Sequence, residues 1–380
     1  MSVVPATPVL EPLTASTPHL PCDDPTTLRI RHARVAVILV SSGDYTPRYL
    51  AACYASLYAQ TYATDLFTVF VVTNGVSEEN RHLTRHVARQ ARLLHNSLNL
   101  GWSGGNNTAI RVALDEGFDY LVLLNVDTVV EPDWLARLIE AAEASPQTHI
   151  WQSTILLHGT SQINSCGNRI HYLGYGYCQG YGEPRTWQPS TTAPDAASGA
   201  AMLVRREVFE RIGLFRDEYF MYYDDVEFCW RARLAGYNIG LAHRSICYHK
   251  HAYRDPSVWL YYFQRNRWMT LLALEKWRTL AVTAPCLLVA EALLSVYFIA
   301  HGWGRAQWRA VRELLKGRTW RTILAHRRHV RQLRIRTDAQ IVKHFAGGIA
   351  GVWRRHPVIR YVVNPLLEAY WAIAKTFIVW

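Results

Sequence analysis

Residues 119–135 read DYLVLLNVDTVVEPDWL, an apolar run that ends at Asn125-Val126-Asp127 and is followed by Glu131-Pro132-Asp133 at the start of a helix. A continuous Leu/Val run of this length predicts a strand at 119–124 buried on both faces. Working outward, two similar runs precede it, VAVILVS at 35–41 and FTVFVV at 67–72, and 91–95 returns as a short strand. Helical stretches separate them: about Pro47 to Gln60, with Pro47 near the first turn, a polar one over roughly 78–90, and one from about Gly105 to Glu116. Strands alternating with helices predict an α/β fold built on a parallel sheet covered on both sides.

Beyond about residue 157 the alternation weakens. Residues 158–198 are rich in Gly, Tyr, Ser, Thr and Pro and predict hairpins and loops. Helices are expected at Arg205–Arg211, at Asp225–Leu234 with Gly236 closing it, and over 257–275. From there to Trp380 the chain reads as helices separated by Gly and Pro. Three regions result: an irregular leader over 1–32 carrying Pro5, Pro8, Pro18, Pro21 and Pro25, an α/β domain over 33–276, and a helical region over 277–380.

The charge is concentrated in the last region. The chain has 41 Lys+Arg and 30 Asp+Glu, a net of +11, whereas residues 301–380 alone hold 16 and 3, a net of +13. Trp303, Trp308, Trp320, Trp353, Trp371 and Trp380 are interleaved with these cations. Basic side chains among interfacial aromatics predict contact with anionic lipid headgroups or a lipid diphosphate. No zinc-finger or basic-zipper signature is present, so nucleic acid is not an expected partner. Segment 279–300 has the length of a membrane span, but Pro285 and Glu291 interrupt it. The expectation is a peripheral protein on the cytoplasmic face of the cell membrane, with this segment lying on the surface. An oligomer interface through the C-terminal helices is the alternative use. The seven cysteines form no CxxC pair, which argues against a structural zinc or iron–sulfur site and for a reduced compartment.

Four stretches carry chemistry. Asp127 follows the strongest strand, where the carboxyl ends of a doubly wound sheet gather ligands, and can hold a divalent ion that neutralises phosphates. Taken alone, it reads more readily as a cap on the next turn. Asn99-Leu-Gly101-Trp-Ser-Gly104-Gly105-Asn106-Asn107 offers paired glycines before a helix, suited to close approach of an anionic group, although its spacing is not the dinucleotide fingerprint. Tyr222-Tyr223-Asp224-Asp225-Val226-Glu227 puts three acids at a helix start; they can cap the helix or supply a general base. His249 ends an apolar strand and can join Asp127 on an ion, or serve only packing. Further on, Arg265, Arg267 and Trp268 in YYFQRNRW can face a diphosphate or an acceptor sugar.

In these stretches the chain resembles the inverting glycosyltransferases of family 2, which have the GT-A fold, and particularly their bacterial rhamnosyltransferase-like branch. The resemblance covers about residues 33–270. It rests on NLGWSGGNN, LLNVDTVVEPDWL, SGAAMLVRREVFERIGLFRDEYFMYYDDVEFCWRARLAGY, the strand-ending His249 and YYFQRNRW, in that order. It implies a Rossmann-like mixed sheet and a Mg²⁺ or Mn²⁺ ion on Asp127 and His249, with Asn125 in the place of the first acid of the family's DxD motif. Asp225 would be the base and Asp224 its neighbour. Ser41, Asn74, Asn99, Gly101, Gly105, Asn106, Asn125 and Asp127 would line the donor side. Gly199, Ala200, Tyr223, Arg265, Arg267 and Trp268 would line the acceptor side. The implied partners are a nucleoside-diphosphate sugar and a lipid-linked or oligosaccharide acceptor. Two departures stand out: the first strand ends Ser41-Ser42-Gly43 where an Asn is usual, and Thr73 replaces an Asp that commonly holds the nucleotide base. Competing readings are a binding or scaffold subunit of the same fold and a nucleotidylyltransferase. Intact Asp127, Asp225 and His249 weigh against the first, and the lack of a Gly- and basic-rich loop after the first strand weighs against the second.

Overall fold

The structure, a computed structural model, describes residues 33–43, 45–188, 193–250, 256–351 and 356–380; the leader over 1–32 and Trp353 lie outside the described residues. The first half is as periodic as its sequence. Strand β1 (Val35–Ser41) leads to helix α1 (Tyr45–Tyr58), β2 (Phe67–Asn74), α2 (Glu78–Val87), β3 (Arg92–Asn96), α3 (Gly101–Asp115) and β4 (Tyr120–Asn125). These strands pair in parallel in the order β3-β2-β1-β4, with Val35 opposite both Phe67 and Tyr120.

The second half departs from a purely parallel sheet. It comprises β5 (Thr128–Val130), α4 (Trp134–Ala144), β6 (Ile150–Leu157), β7 (Ile163–Ser165), β8 (Asn168–Ile170), β9 (Gly176–Cys178) and β10 (Ala201–Arg205). These are followed by α5 (Arg206–Ile212), α6 (Asp224–Leu234), β11 (Ile239–His249) and α7 (Pro256–Leu274). Strand β10 inserts antiparallel between β4 and β6, and β11 runs parallel to β6 but antiparallel to β5. The sheet is therefore mixed. The segment between β6 and β10 returns through short hairpins rather than a crossover helix, which permits the reversal of direction.

Alternation along the strands divides the core. Ala36, Ile38, Phe70, Val72, Leu121 and Leu123 face one side; Val35, Val37, Leu39, Val69, Val71 and Val122 face the other, against Leu50, Leu57, Trp134 and Leu138. Five C-terminal helices follow, α8 (Trp277–Ala300), α9 (Gly304–Leu314), α10 (Gly317–Leu333), α11 (Asp338–Val342) and α12 (Asn364–Ala374); α3, α6, α8, α10, α11 and α12 cover the first side, whereas α9 packs Ala306 and Ala310 against Leu260 and Tyr261 of α7 and Phe298 of α8. Leu280, Leu287, Val330, Leu333, Ile341 and Trp371 pack into the same cluster as Phe228 and Trp230 of α6. The helical region over 277–380 thus shares its core with the sheet.

Among the described residues, α8 is the one helix long and apolar enough to cross a membrane, by length and composition, and 11% of its apolar window is buried. Its inward face carries Leu280, Thr283, Leu287 and Phe298. Glu291 turns the same way and meets Arg267, Tyr175 Oη (3.1 Å) and Trp268 Nε1 (3.3 Å). Leu288, Val289, Leu293, Val296 and Ile299 are exposed.

Candidate active site

A cleft of about 540 Å³ opens beyond the carboxyl ends of β1 and β4. Asp127, Asp224, Asp225 and His249 all line it, and among the described residues lining it there is no Lys or Arg. A smaller cavity of about 350 Å³ near Trp187 holds Arg137, Arg185 and Arg244, each already paired with a carboxylate.

Strand pairing joins Asp127 to His249. His249 stands opposite Thr128 in the β5–β11 ladder, and Lys250 N–H donates to the Asp127 carbonyl at 2.8 Å. Their side chains then meet, His249 Nε2 lying 3.3 Å from Asp127 Oδ1, both largely buried. Asn164 Oδ1 accepts from His249 Nδ1–H at 3.1 Å. With Nδ1 so committed, Nε2 is the ring nitrogen that faces the carboxylate and would be the one offered to a metal ion. Two acceptors held face to face suit a cation between them. Among the described residues no group of three His, Cys, Asp or Glu side chains gathers, so other ligands to such an ion would come from substrate or water.

The acids at the start of α6 are delivered by strained backbone. Phe220, Tyr222 and Tyr223 have φ of 66°, 61° and 72°, a left-handed region costly for bulky residues, about 1–3 kcal/mol each. The buried Asn266 of α7 holds this loop: its Nδ2 reaches the carbonyls of Tyr219 (3.0 Å), Met221 (3.0 Å) and Tyr222 (2.7 Å). Arg265 bonds the carbonyls of Glu218 and Tyr219, and Tyr223 Oη donates to the Gly174 carbonyl. From the other side, Trp102 N–H and Ser103 N–H donate to the Phe220 carbonyl. This contact begins α3 at Gly101, four residues before Gly105. Gly101 has φ +72°, and a Cβ there would strike the Phe220 carbonyl.

Asp225 Oδ2 accepts from Gly199 N–H at 3.0 Å and its Oδ1 from Val226 N–H at 2.8 Å. Asp224 is more deeply buried and accepts from Ser103 Oγ–H at 2.9 Å. Burial pushes Asp224 up to about 7, and the neighbouring Asp225 charge adds to the shift. Burial also raises Asp225, with the Gly199 and Val226 N–H groups opposing it.

Of the other residues singled out by sequence, Asn74, Asn99, Gly101, Asn125, Gly199, Ala200 and Tyr223 line the cleft. Asn74 also orders the loop before α3, donating to Asn99 Oδ1 and the Gly101 carbonyl and accepting from Leu100 N–H. Six residues do not line it. Ser41 points away because side chains alternate along β1: its hydroxyl bonds Thr46 at 2.7 Å, while Val40 and Ser42 face the cleft. Gly105 is a packing position, where a Cβ would lie 2.6 Å from Val40. Asn106 is buried and donates to the Trp102 carbonyl. Arg265 is spent on the strained loop. Arg267 is fully buried, with its guanidinium 4.1 Å from the Tyr175 ring centroid and paired with Glu291, and Trp268 shares that carboxylate. These arginines support the site; they do not face an acceptor within it. Thr73 likewise turns to β3, donating to the Leu94 carbonyl at 3.2 Å.

Other lining residues went unassigned from sequence. Trp102 Nε1 donates to Asn125 Oδ1 at 2.9 Å, committing that amide oxygen, and its ring fills the place of a Gly199 side chain, whose Cβ would lie 2.5 Å away. Asn164, Tyr177, Tyr181, Phe263, Ala350 and Gly351 also line the cleft. A Trp inside a Gly-rich stretch and Phe263 inside YYFQRNRW were usable signals; Asn164, Tyr177, Tyr181, Ala350 and Gly351 are distant in sequence from the motifs.

A family model described as glycosyltransferase like family 2 matches residues 32–270. The chain is 30% identical over 174 residues to the low-salt glycan biosynthesis hexosyltransferase Agl10 of Haloferax volcanii, covering 45% of this chain and 54% of that protein. It thus spans about half the length of that relative. It is 25% identical over 248 residues to the N-acetylglucosaminyl-diphospho-decaprenol L-rhamnosyltransferase of Mycobacterium tuberculosis, covering 59% of this chain and 78% of that protein. The fold is similar to that of GalNAc-T7, solved with UDP, GalNAc and Mn²⁺, at a TM-score of 0.50 and 12% identity over 65% of this chain and 49% of that one.

Proposed function

The chain belongs to glycosyltransferase family 2 and has a GT-A-like α/β fold, and from that premise we propose that it is an inverting, metal-dependent hexosyl- or deoxyhexosyltransferase, with L-rhamnose the favoured sugar. The donor is a nucleoside-diphosphate sugar, and the acceptor a lipid-linked or growing glycan. The rhamnosyltransferase relative supports the choice of sugar and of a lipid-linked acceptor.

The observation that carries this reading is the charge of the cleft. Three carboxylates and His249 line it, and no Lys or Arg does among its described residues. A diphosphate brought beside these carboxylates is stabilised by a bound cation. Asp127 and His249 would hold Mg²⁺ or Mn²⁺, which when bound offsets the charge of the departing nucleoside diphosphate. The Mn²⁺ in GalNAc-T7 is consistent with this.

The chain's own residues supply the rest. Asp225 accepts the proton of the acceptor hydroxyl as that oxygen attacks the anomeric carbon. The N–H groups of Gly199 and Val226 orient its two oxygens. Asp224, bonded to Ser103, supports the helix start and is not a second nucleophile, so one displacement inverts the sugar. Asn74 and Asn99 shape the donor loop, and Trp102 fixes Asn125.

The helical tail would bring the enzyme to the cytoplasmic face of a membrane as a peripheral protein. Helix α8 buries Leu280 and Leu287 against the shared core and Phe298 against neighbouring helices, and leaves Leu288, Val289, Leu293, Val296 and Ile299 exposed. A helix committed on one side in this way suits lying in the interface better than crossing it. A panel of sugar nucleotides assayed for nucleoside-diphosphate release tests the proposal. Release with Mg²⁺ or Mn²⁺ and none after chelation is expected; full turnover without metal, or none with any donor, overturns it.

A further inference from the structure

The cleft has a wall that comes from the tail. Ala350 and Gly351 face the same space as Asp225, together with Tyr177 and Tyr181 of the hairpin region. The segment is fixed at several points. Ala346 N–H donates to the Ile170 carbonyl at 2.8 Å, His171 Nε2–H to the Gly347 carbonyl at 2.9 Å, and Tyr177 Oη–H to the Gly348 carbonyl at 3.2 Å. Asn364, buried at the start of α12, then grips Ile349 as a strand partner would: its Oδ1 accepts from Ile349 N–H at 2.8 Å and its Nδ2 donates to the Ile349 carbonyl at 2.9 Å. Such anchoring is more than a connecting loop needs, and it sets two small residues at the cleft.

We propose that the tail segment 346–351 is the acceptor-selecting wall of the active site, and that it takes an uncharged sugar ring in the part of the cleft lined by Ala350, Gly351, Tyr177 and Tyr181. This rests on the transferase reading and adds the residues that choose its acceptor. Small residues beside aromatic ones leave room for a sugar ring, whose C–H face packs on the aromatics while its hydroxyls meet polar groups. Asn168 and Asp225 are the polar groups at hand. A negatively charged ring here would lie beside the carboxylates of Asp224 and Asp225 and be repelled by them. A lipid diphosphate attached to the acceptor would then sit outside this part of the cleft, toward the basic tail.

The test uses the full chain with Mn²⁺ and a nucleoside diphosphate. Ligand-observed NMR measures binding of the octyl glycosides of glucose, galactose, N-acetylglucosamine and rhamnose, and of octyl glucuronide as the charged probe. At least one neutral glycoside should bind, with the glucuronide ~10-fold weaker or worse. Ala350→Trp, a change at a half-buried position, should weaken the neutral glycoside ~10-fold or more and leave nucleotide affinity unchanged. Asn364→Ala should do the same through the released wall, and should keep nucleotide binding as its sign of folding. Equal or tighter binding of the glucuronide, no binding of any neutral glycoside, or an Ala350→Trp variant that binds as wild type overturns the proposal. Failure of the wild type to bind any nucleoside diphosphate with metal is a separate result: it removes the transferase reading, and the proposal falls with it.

Discussion

His326 of α10 donates from Nε2 to Glu227 Oε1 at 2.8 Å, joining the basic tail to the helix that carries Asp224 and Asp225. Glu227 is fully buried and also takes Arg231 on both oxygens, at 2.8 and 3.0 Å. Burial works against the charge on Glu227, but Arg231 and His326 outweigh it and hold the carboxyl far below the usual range. His326→Ala should therefore destabilise the protein by about 1–3 kcal/mol, read from chemical denaturation.

The same pair sets a pH dependence. Burial lowers His326 from its ordinary 6.5, with Glu227 opposing it, so just below pH 6.5 the unfolded histidine takes up a proton more readily than the folded one. Stability should then be full above about pH 6.5 and fall as pH drops below it, because unfolding gains a proton. His326→Gln keeps the N–H donor and removes this titration, so the loss of melting temperature between pH 7 and 5 should shrink. It should not vanish, since His171, pushed by burial to about 4, acts in the same window. An unchanged profile would refute this assignment.

Asn164 should matter to metal binding without touching the metal. Asn164→Ala removes the partner of His249 Nδ1 and should weaken Mn²⁺ affinity by roughly 10–100-fold, measured by titration calorimetry with nucleotide present. Asp127→Ala should abolish transfer with the fold retained.

Asp225→Asn should lower turnover by ~10²-fold or more with donor affinity nearly unchanged. Asp224, raised to about 7, is substantially protonated at neutral pH, and Asn mimics that state. Asp224→Asn should thus retain more activity than Asp225→Asn at pH 6.5. The reverse order would move the base by one residue.

Releasing the strained loop should cost rate before affinity. Asn266→Ala frees the carbonyls of Tyr219, Met221 and Tyr222, and turnover should drop by roughly 10–100-fold as Asp225 loses its position. Nucleotide binding at the opposite wall should change little. Equal losses in both would mean that the loop serves general stability only.

Exposed α8 side chains give the membrane test. Full-length protein should float with anionic vesicles at low salt, and the double change Leu293→Glu with Val296→Glu should stop it without unfolding, since both are about two-thirds exposed. Flotation of the double variant at the wild-type level would exclude α8 as the contact.

The strands at 35–41, 67–72 and 119–124 could be read directly because both faces are buried, which leaves an apolar run with little else to mean. The start of α3 could not, because the Phe220 carbonyl sets it from another part of the chain. Asp127, Asp225 and His249 were legible as acids and an imidazole at element ends. Asn164 was not: its role comes from the β6–β7 turn carrying it beneath a histidine far along the chain. Arg265 and Arg267 misled for a physical reason. A guanidinium beside aromatics reads the same whether it awaits a phosphate or, as here, serves backbone carbonyls and a half-buried glutamate.

Strand β10 lies between β4 and β6, although both are made before it. During synthesis the sheet therefore stays open in its middle until residue 205 has left the ribosome, with the edges of β4 and β6 waiting unpaired. Asp127 appears early, its partner His249 more than a hundred residues later, and the Ala350–Gly351 wall later still. On the proposed reading, a nascent chain stalled before residue 249 carries Asp127 and the Asn99–Gly105 stretch but lacks His249, and so lacks half of the cation's protein ligands. The order of translation would then keep the cleft chemically silent until most of the polypeptide exists.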